Sequence, residues 1–249
     1  MYGKYIQQFL QRHGYVKVLP KAALIDMDGT LYDSMPNHAY AWCEMLAEIG
    51  IESRKEEFFR FEGRTGASTI NIIFNREFGR DATEEEVERL YRRKTEIFAS
   101  LPPVEPMPGA DRMLAFLREI GVECVLVTGS GQNTLLNRIE SDYPGVFAPG
   151  RRITSRDVKR GKPDPEPFQK AMELVGRKPD ECMVIENAPL GVMAGDSAGV
   201  FTIGVNTGPL EAIELEEAGA AMVFDSMNDC ADTMPLLIYS LITTSRNLN

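Results

Sequence analysis

Hydrophobic and polar positions along the 249-residue chain change rhythm twice. Tyr2, Tyr5, Ile6, Phe9 and Leu10 recur at helical spacing and predict a short amphipathic helix packed on the core near the first strand. Ala22 to Ile25 is a continuous apolar run of strand length, as expected of a strand buried on both faces. From Met35 to about Leu101 the pattern is helical throughout. His38, Trp42, Met45, Leu46 and Ile49 mark one helix, ended by Gly50. Ile70, Ile73, Phe74 and Phe78 give a second stripe, and Val87, Leu90, Tyr91 and Phe98 a third. These stripes read as core and are assigned no chemistry. Ser53-x-x-Glu56 and Thr83-x-x-Glu86 each have the form of a capping box.

Pro102 to Gly109 is the clearest boundary, a stiff extended linker. Beyond it strands and helices alternate. Met113, Leu114, Phe116, Leu117 and Ile120 line a helix, and Cys124 to Val127 form a buried strand. Leu135, Leu136 and Ile139 give the next helix, and Ile153 lies in a weak strand. A helix at Phe168, Ala171, Met172 and Val175 precedes strands at Met183–Ile185, Phe201–Val205 and Met222–Phe224. The last helix is predicted to begin near Asp232 and to fray after Thr244. Alternation of this kind implies an α/β fold with a parallel sheet covered by helices on both faces. The helical stretch interrupts it after the first strand. The expected division is an α/β core of residues 1–33 and 105–249 and a helical domain of residues 34–104. There is no internal repeat and no low-complexity tract.

Four strand ends carry polar residues that the core does not need. The first strand ends in Asp26-Met27-Asp28-Gly29-Thr30-Leu31, two carboxylates one residue apart before a turn-forming glycine. Two such carboxylates repel each other and call for a cation or a shared proton. An Asx turn is the plainer reading of one aspartate, but it does not account for two. Thr128-Gly129-Ser130-Gly131 follows the second strand, where a hydroxyl and glycine-flanked N–H groups can bind phosphate oxygens. By itself it is also an ordinary turn. Gly161-Lys162-Pro163-Asp164-Pro165 places a lysine before a helix, and Met183 to Ile185 run into Glu186-Asn187. The last pair also suits a helix N-terminus.

Composition narrows the partners. Hydrophobic content of 43% and charged content of 26% are those of an ordinary globular protein, and the formal charge is −10. That charge argues against nucleic acid or an anionic membrane as partner, without excluding a locally positive phosphate site. Cys43, Cys124, Cys182 and Cys230 lack metal-ligand spacing and read as free thiols of a reducing cytoplasm. No signal-peptide pattern and no bilayer-length apolar run is present, so a cytoplasmic monomer is expected.

In order, these motifs resemble those of the haloacid dehalogenase-like (HAD) hydrolases, and the resemblance covers nearly the whole chain. It implies a Rossmann-like parallel sheet core with an all-helical cap inserted after the first strand, similar to the β-phosphoglucomutase-like branch. It implies a Mg²⁺-dependent phosphatase working through an aspartyl-phosphate on a small phosphorylated metabolite, a sugar phosphate or a similar phosphomonoester. Asp26 is then the nucleophile and Asp28 the acid and base. Thr128, Gly129 and Lys162 are the phosphate grip. Asp26, the Asp28 carbonyl and Asn187 are the metal ligands, with Glu186 acting nearby. Asn187 departs from the mutase-like pattern, which has Asp there; an amide oxygen can still ligate Mg²⁺. Asp33-Ser34-x-x-x-His38-x-x-x-Trp42 resembles the mutase segment with its substrate-facing histidine. Against a mutase, Gly66 and Gly131 stand where that pattern has Arg and Lys. A phosphatase with His38 and Arg64 facing the leaving group is the expectation, a phosphosugar mutase the alternative. A phospho-acceptor signalling domain is disfavoured by the helical insertion and the early Asp26, and an inactive binding protein by the retained Asp26, Asp28, Thr128 and Lys162.

Overall fold

The computed structural model describes residues 2–131 and 133–245. Its centre is a six-stranded, all-parallel sheet in the order β3-β2-β1-β4-β5-β6. The strands are β1 (Ala22–Ile25), β2 (Glu123–Val127), β3 (Arg152–Ile153), β4 (Cys182–Glu186), β5 (Phe201–Val205) and β6 (Met222–Phe224). β1 is central and shows the period-two logic of a doubly covered sheet. Ala23 and Ile25 enter the larger hydrophobic cluster, Ala22 and Leu24 the smaller one on the other face. All four are fully buried.

The helices are, in chain order, α1 (Gly3–His13), α2 (Met35–Ala47), α3 (Lys55–Arg60), α4 (Gly66–Phe78), α5 (Glu84–Ser100) and α6 (Ala110–Glu119). They continue with α7 (Asn133–Leu136), α8 (Ile139–Asp142), α9 (Glu166–Val175), α10 (Pro189–Ser197), α11 (Ala212–Glu217) and α12 (Met227–Thr243). Helices α2 to α5 form the insertion between β1 and the rest of the sheet. Its entry and exit strands are stitched together: Asp33 N–H donates to Glu105 O at 3.0 Å and Met107 N–H to Leu31 O at 2.8 Å. The proline-rich linker is extended, as expected, and paired along the entry strand.

Several expectations are corrected. The first helix packs through Phe9, edge-on to Phe201 of β5 with ring centres 5.1 Å apart, and against α12. Phe78 and Ile120, expected in core stripes, sit at helix ends and are exposed. α12 starts at Met227, ahead of Asp232, because Ser226 Oγ accepts the Asp229 N–H at 3.1 Å, and the helix runs on through Pro235. The tail beyond Ser245 lies outside the described residues. Of the two capping boxes only one forms. Thr83 Oγ1 accepts from Glu86 N–H at 3.2 Å, and Glu86 Oε2 from Thr83 N–H at 2.7 Å. At α3 the N-cap is Arg54, and Ser53 Oγ is buried without a partner.

That contrast is measurable. Thr83→Ala should lose about 1 kcal/mol, lowering the midpoint of thermal unfolding by about 2–4 °C. Ser53→Ala should cost nothing or stabilise slightly, since it removes an unsatisfied hydroxyl. Equal destabilisation by the two would contradict the assignment.

Candidate active site

The turn after β1 is built by its backbone. Leu31 and Tyr32 N–H both donate to Met27 O, and Gly29 N–H donates to Tyr32 O at 2.8 Å. Gly29 has φ 76°, and a β-carbon there would lie 2.0 Å from Asn187 Nδ2, so both conformation and space require glycine. The turn leaves Asp26 and Asp28 buried at the carboxyl edge of the sheet. Thr128 follows β2 and Glu186 ends β4, the strands flanking β1. The topology alone therefore brings the separate motifs together.

Lys162 enters from the loop before α9 and is 2% exposed. Its Nζ donates to Asp26 Oδ1 at 2.5 Å, Glu186 Oε1 at 2.5 Å and Val127 O at 3.0 Å. Burial works against its charge, but Asp26 and Glu186 more than offset this and raise its pKa. Glu186 Oε2 accepts the N–H groups of Asn187 and Ala188, so both its oxygens are engaged. In this arrangement Glu186 positions Lys162 and leads into α10. Gly191 makes room for it, since a β-carbon there would lie 1.9 Å from Glu186 Oε1.

Asp28 belongs to a second chain of contacts. Its Oδ1 accepts from Ser34 Oγ at 2.7 Å and lies 2.9 Å from His38 Nε2. His38 Nδ1 lies 2.6 Å from Lys94 Nζ. When Lys94 is an ammonium it has only donors, so Nδ1 accepts and Nε2–H donates to Asp28, which makes His38 neutral. Burial first, and Lys94 second, lower the His38 pKa. Burial would raise the Asp28 carboxyl, but His38, Ser34 and Lys94 bring it below the ordinary range. Burial pushes Lys94 down to about 7, with Asp28 opposing. His38 is buried and stacked on Phe98 with ring centres 4.3 Å apart, not a solvated first-turn residue.

The sequence reading passed over three residues here. Glu62, between α3 and α4, accepts from Asn187 Nδ2 at 2.9 Å, and its pKa is raised well above normal by burial and then by Asp26. Tyr91 belongs to the Val87, Leu90, Tyr91 and Phe98 stripe assigned to the core, and Lys94 of the same helix is not in that stripe. The signal for Lys94 was present: Leu90, Lys94 and Phe98 recur at i, i+4, i+8, a lysine on an apolar face. Glu62 had none, being one acid among many before a glycine.

Asp26, Asp28, His38, Glu62, Arg64, Tyr91, Lys94, Thr128 and Gly129 surround a cavity of about 60 Å³. Arg64 lies along its wall, with Nη1 donating to Ser68 Oγ at 3.2 Å and Nε buried without a partner. Thr128 Oγ1 accepts the Ser130 N–H at 3.0 Å. Where the mutase-like pattern has Arg, a β-carbon on Gly66 would lie 2.2 Å from the Tyr91 ring, which fills that space. Cys124, Cys182 and Cys230 are buried, with thiols pushed up to about 12 by burial, and serve as core.

Among the described residues no three His, Cys, Asp or Glu side chains form a ready metal cluster. A mixed oxygen set fits a hard cation instead. Asp26 Oδ2 is buried with no partner among the described residues, and Glu62, bonded to Asn187, is close enough to feel the Asp26 charge. Asp26, Asp28, Glu62 and Glu186 crowd together, with Lys162 bearing on Asp26 and Lys94 on Asp28. Burial first and then Glu186 raise the Asp26 carboxyl, with Lys162 opposing. Such a surplus of carboxylate suits a divalent, oxygen-seeking ion such as Mg²⁺.

The chain is similar to known proteins. A family model described as haloacid dehalogenase-like hydrolase matches residues 20–199. Hexitol phosphatase A of Escherichia coli (strain K12) is 32% identical over 79% of this chain and 88% of its own length. Beta-phosphoglucomutase of Bacillus subtilis (strain 168) is 26% identical over 76% of this chain and 84% of its own. A solved structure from Bacteroides vulgatus, provisionally described as a beta-phosphoglucomutase, is 48% identical, covers 97% of this chain and 98% of its own, and superposes with a TM-score of 0.93.

The buried lysine gives a pH signature. Lys94 titrates near 7 when folded and near 10.4 when unfolded, so between those values the unfolded state binds more protons. Stability should therefore rise through this window, by at most about 1.4 kcal/mol per pH unit relative to a Lys94→Met variant. Urea unfolding of both proteins from pH 6.5 to 9.5 checks it; parallel curves would refute it.

Proposed function

The chain belongs to the haloacid dehalogenase-like hydrolases, and from that premise we propose a Mg²⁺-dependent phosphatase that cleaves a small phosphomonoester, a sugar phosphate or a more compact relative, through an aspartyl-phosphate on Asp26. The observation that carries this reading is the Asp26 carboxylate itself. Lys162 anchors one oxygen and the other, buried at the cavity, has no partner.

A bound Mg²⁺ would be held by Asp26, Asn187, the Asp28 main-chain carbonyl and, from the cap, Glu62, and would supply charge neutralisation between nucleophile and phosphate. The chain's own groups do the rest. Asp26 forms the bond to phosphorus as the leaving oxygen departs. Lys162, held by Glu186, offsets the charge on the transferring phosphoryl oxygens, with the Thr128 hydroxyl and the Gly129 N–H beside it. Ser34 and His38 both engage Asp28 Oδ1, which leaves Oδ2 to give a proton to the leaving oxygen and then take one from water, once the negative charge of a bound phosphate raises the carboxyl from its lowered value. The neutral His38, backed by Lys94, fixes the orientation of that carboxyl group. The cap excludes bulk water during transfer.

The cavity bears on substrate size. At about 10–15 Å³ per water-sized probe, 60 Å³ holds roughly four to six such groups. In this closed arrangement the leaving group is compact, and a hexose needs a more open cap. Arg64 and Lys94 in the wall favour an anionic group. The same two cations are what supports the second reading, a phosphosugar mutase, which must hold a distal phosphate; Tyr91 in the space beside Gly66 weighs against it.

Phosphate release with Mg²⁺ from a panel of sugar phosphates, phosphoglycolate and pyrophosphate tests the proposal. Wild-type protein should release phosphate, chelation of divalent ions should stop it, and Asp26→Asn should reduce it to background. Release that survives Asp26→Asn sinks the covalent mechanism. Glucose 6-phosphate formed from β-glucose 1-phosphate faster than free phosphate would establish the mutase instead.

A further inference from the structure

The cap meets the core backbone to backbone at one turn. Gly63 and Arg64, between α3 and α4, lay their carbonyl oxygens over the residues that follow β2. A β-carbon on Gly129 would lie 2.4 Å from the Gly63 oxygen and 2.9 Å from the Arg64 oxygen. Both are main-chain atoms, so no rotamer change relieves the overlap. At Gly131 the nearest atom is Ser155 Oγ, at 2.8 Å, the end of a side chain that can turn aside. Neither glycine has positive φ, so alanine is permitted at both and only the space differs.

A second contact reaches the same turn. Gly131 N–H donates to Tyr91 Oη at 3.3 Å, from α5 of the cap. Glu62, Gly63 and Arg64 on one side and Thr128, Gly129 and Ser130 on the other wall the 60 Å³ cavity. The depth of that cavity is thus fixed by how closely Gly63 rests on Gly129.

We infer that Gly129 is a positioning residue: its missing side chain sets how far the cap closes over Asp26, and that depth selects compact leaving groups over bulky ones. Ordinary contact begins at 3.4 Å, against 2.4 Å here, so a methyl group at 129 lifts the loop by about 1 Å. Glu62 precedes Gly63 and is lifted with it, away from Asn187. A misplacement of about 1 Å can cost about 10²-fold in rate. The selection half of the inference rests on the phosphatase reading; the closure half does not.

Trp42, the chain's single tryptophan, reports on closure without turnover. It lines the cavity, is 8% exposed and stacks on Phe58 with ring centres 5.8 Å apart. Acrylamide quenching of Trp42, with Mg²⁺ and inorganic phosphate present, should at least double in Gly129→Ala and stay at the wild-type level in Gly131→Ala. Equal quenching in all three proteins overturns the closure inference. In turnover, Gly129→Ala should lose about 10²-fold in kcat/KM on pyrophosphate and much less on glucose 6-phosphate. Raised quenching with an unchanged ratio of the two overturns selection. Raised quenching in a chain whose wild type releases no phosphate would support closure while removing the phosphatase reading. Should Gly129→Ala fail to fold, Gly161→Ala tests the adjoining seam, where a β-carbon lies 2.8 Å from Thr65 Cγ2. Its raised quenching should be reversed by adding Thr65→Ser, which removes that methyl but keeps the hydroxyl that caps α4; no reversal overturns the steric account.

Discussion

Everything near the carboxyl edge of the sheet answers to one constraint, four carboxylates gathered where little water can screen them. Asp26, Glu62 and Glu186 bear on one another, and Asp28 bears on Asp26 and Glu62. Like charges this close cannot all ionise without compensation. The fold supplies it unevenly. Lys162 serves Asp26 and Glu186, Ser34 and His38 serve Asp28, and Asn187 serves Glu62. Burial first, and then the uncompensated neighbouring carboxylates, raise the proton affinity of Asp26 and Glu62. Such a surplus of negative charge favours a cation and disfavours an approaching phosphate until it is balanced.

The amide at position 187 makes sense within that balance. An aspartate there would set a fifth carboxylate against Glu62, across a gap that the amide nitrogen now bridges at 2.9 Å. The carboxyl group that the core lacks at Asn187 is supplied by the cap at Glu62. The amide oxygen meanwhile accepts from Thr30 Oγ1 at 3.1 Å, tying the β1 turn to the end of β4. One side chain thus joins both halves of the molecule at the edge where the chemistry is proposed.

Much of the fold was legible because sheet burial writes plainly. Ala22 to Ile25 and Met183 to Ile185 have no polar residue until the strand ends, and the polar residues begin where the ligand edge begins. Linear motifs pointed to Asp26, Asp28 and Thr128 because each lies at or just past such an end, whereas Lys162 lies in the loop before α9, well beyond the end of β3 at Ile153. Helix boundaries were less legible. Ser53-x-x-Glu56 and Thr83-x-x-Glu86 look alike in sequence, yet tertiary packing buries the Ser53 hydroxyl and moves the cap to Arg54. Glu62 and Tyr91 were hidden for a different reason. Their surroundings come from another segment of the chain, and no local spacing encodes how the cap is laid on the core.

Helix α5 shows what that placement achieves. Tyr91 and Lys94 are one turn apart on its inner face. Tyr91 receives the Gly131 N–H from the turn after β2, while Lys94 reaches His38 and through it Asp28. A rigid-body displacement of α5 would therefore disturb the turn after β2 and the Asp28 carboxyl group together. Lys94 sits on a face otherwise apolar, where burying an unneeded charge would be strongly unfavourable. Its retention there is explained by the contact it makes at the far end of the chain to Asp28, not by the packing of the cap. The cap is thus more than a cover, since the orientation of Asp28 depends on it.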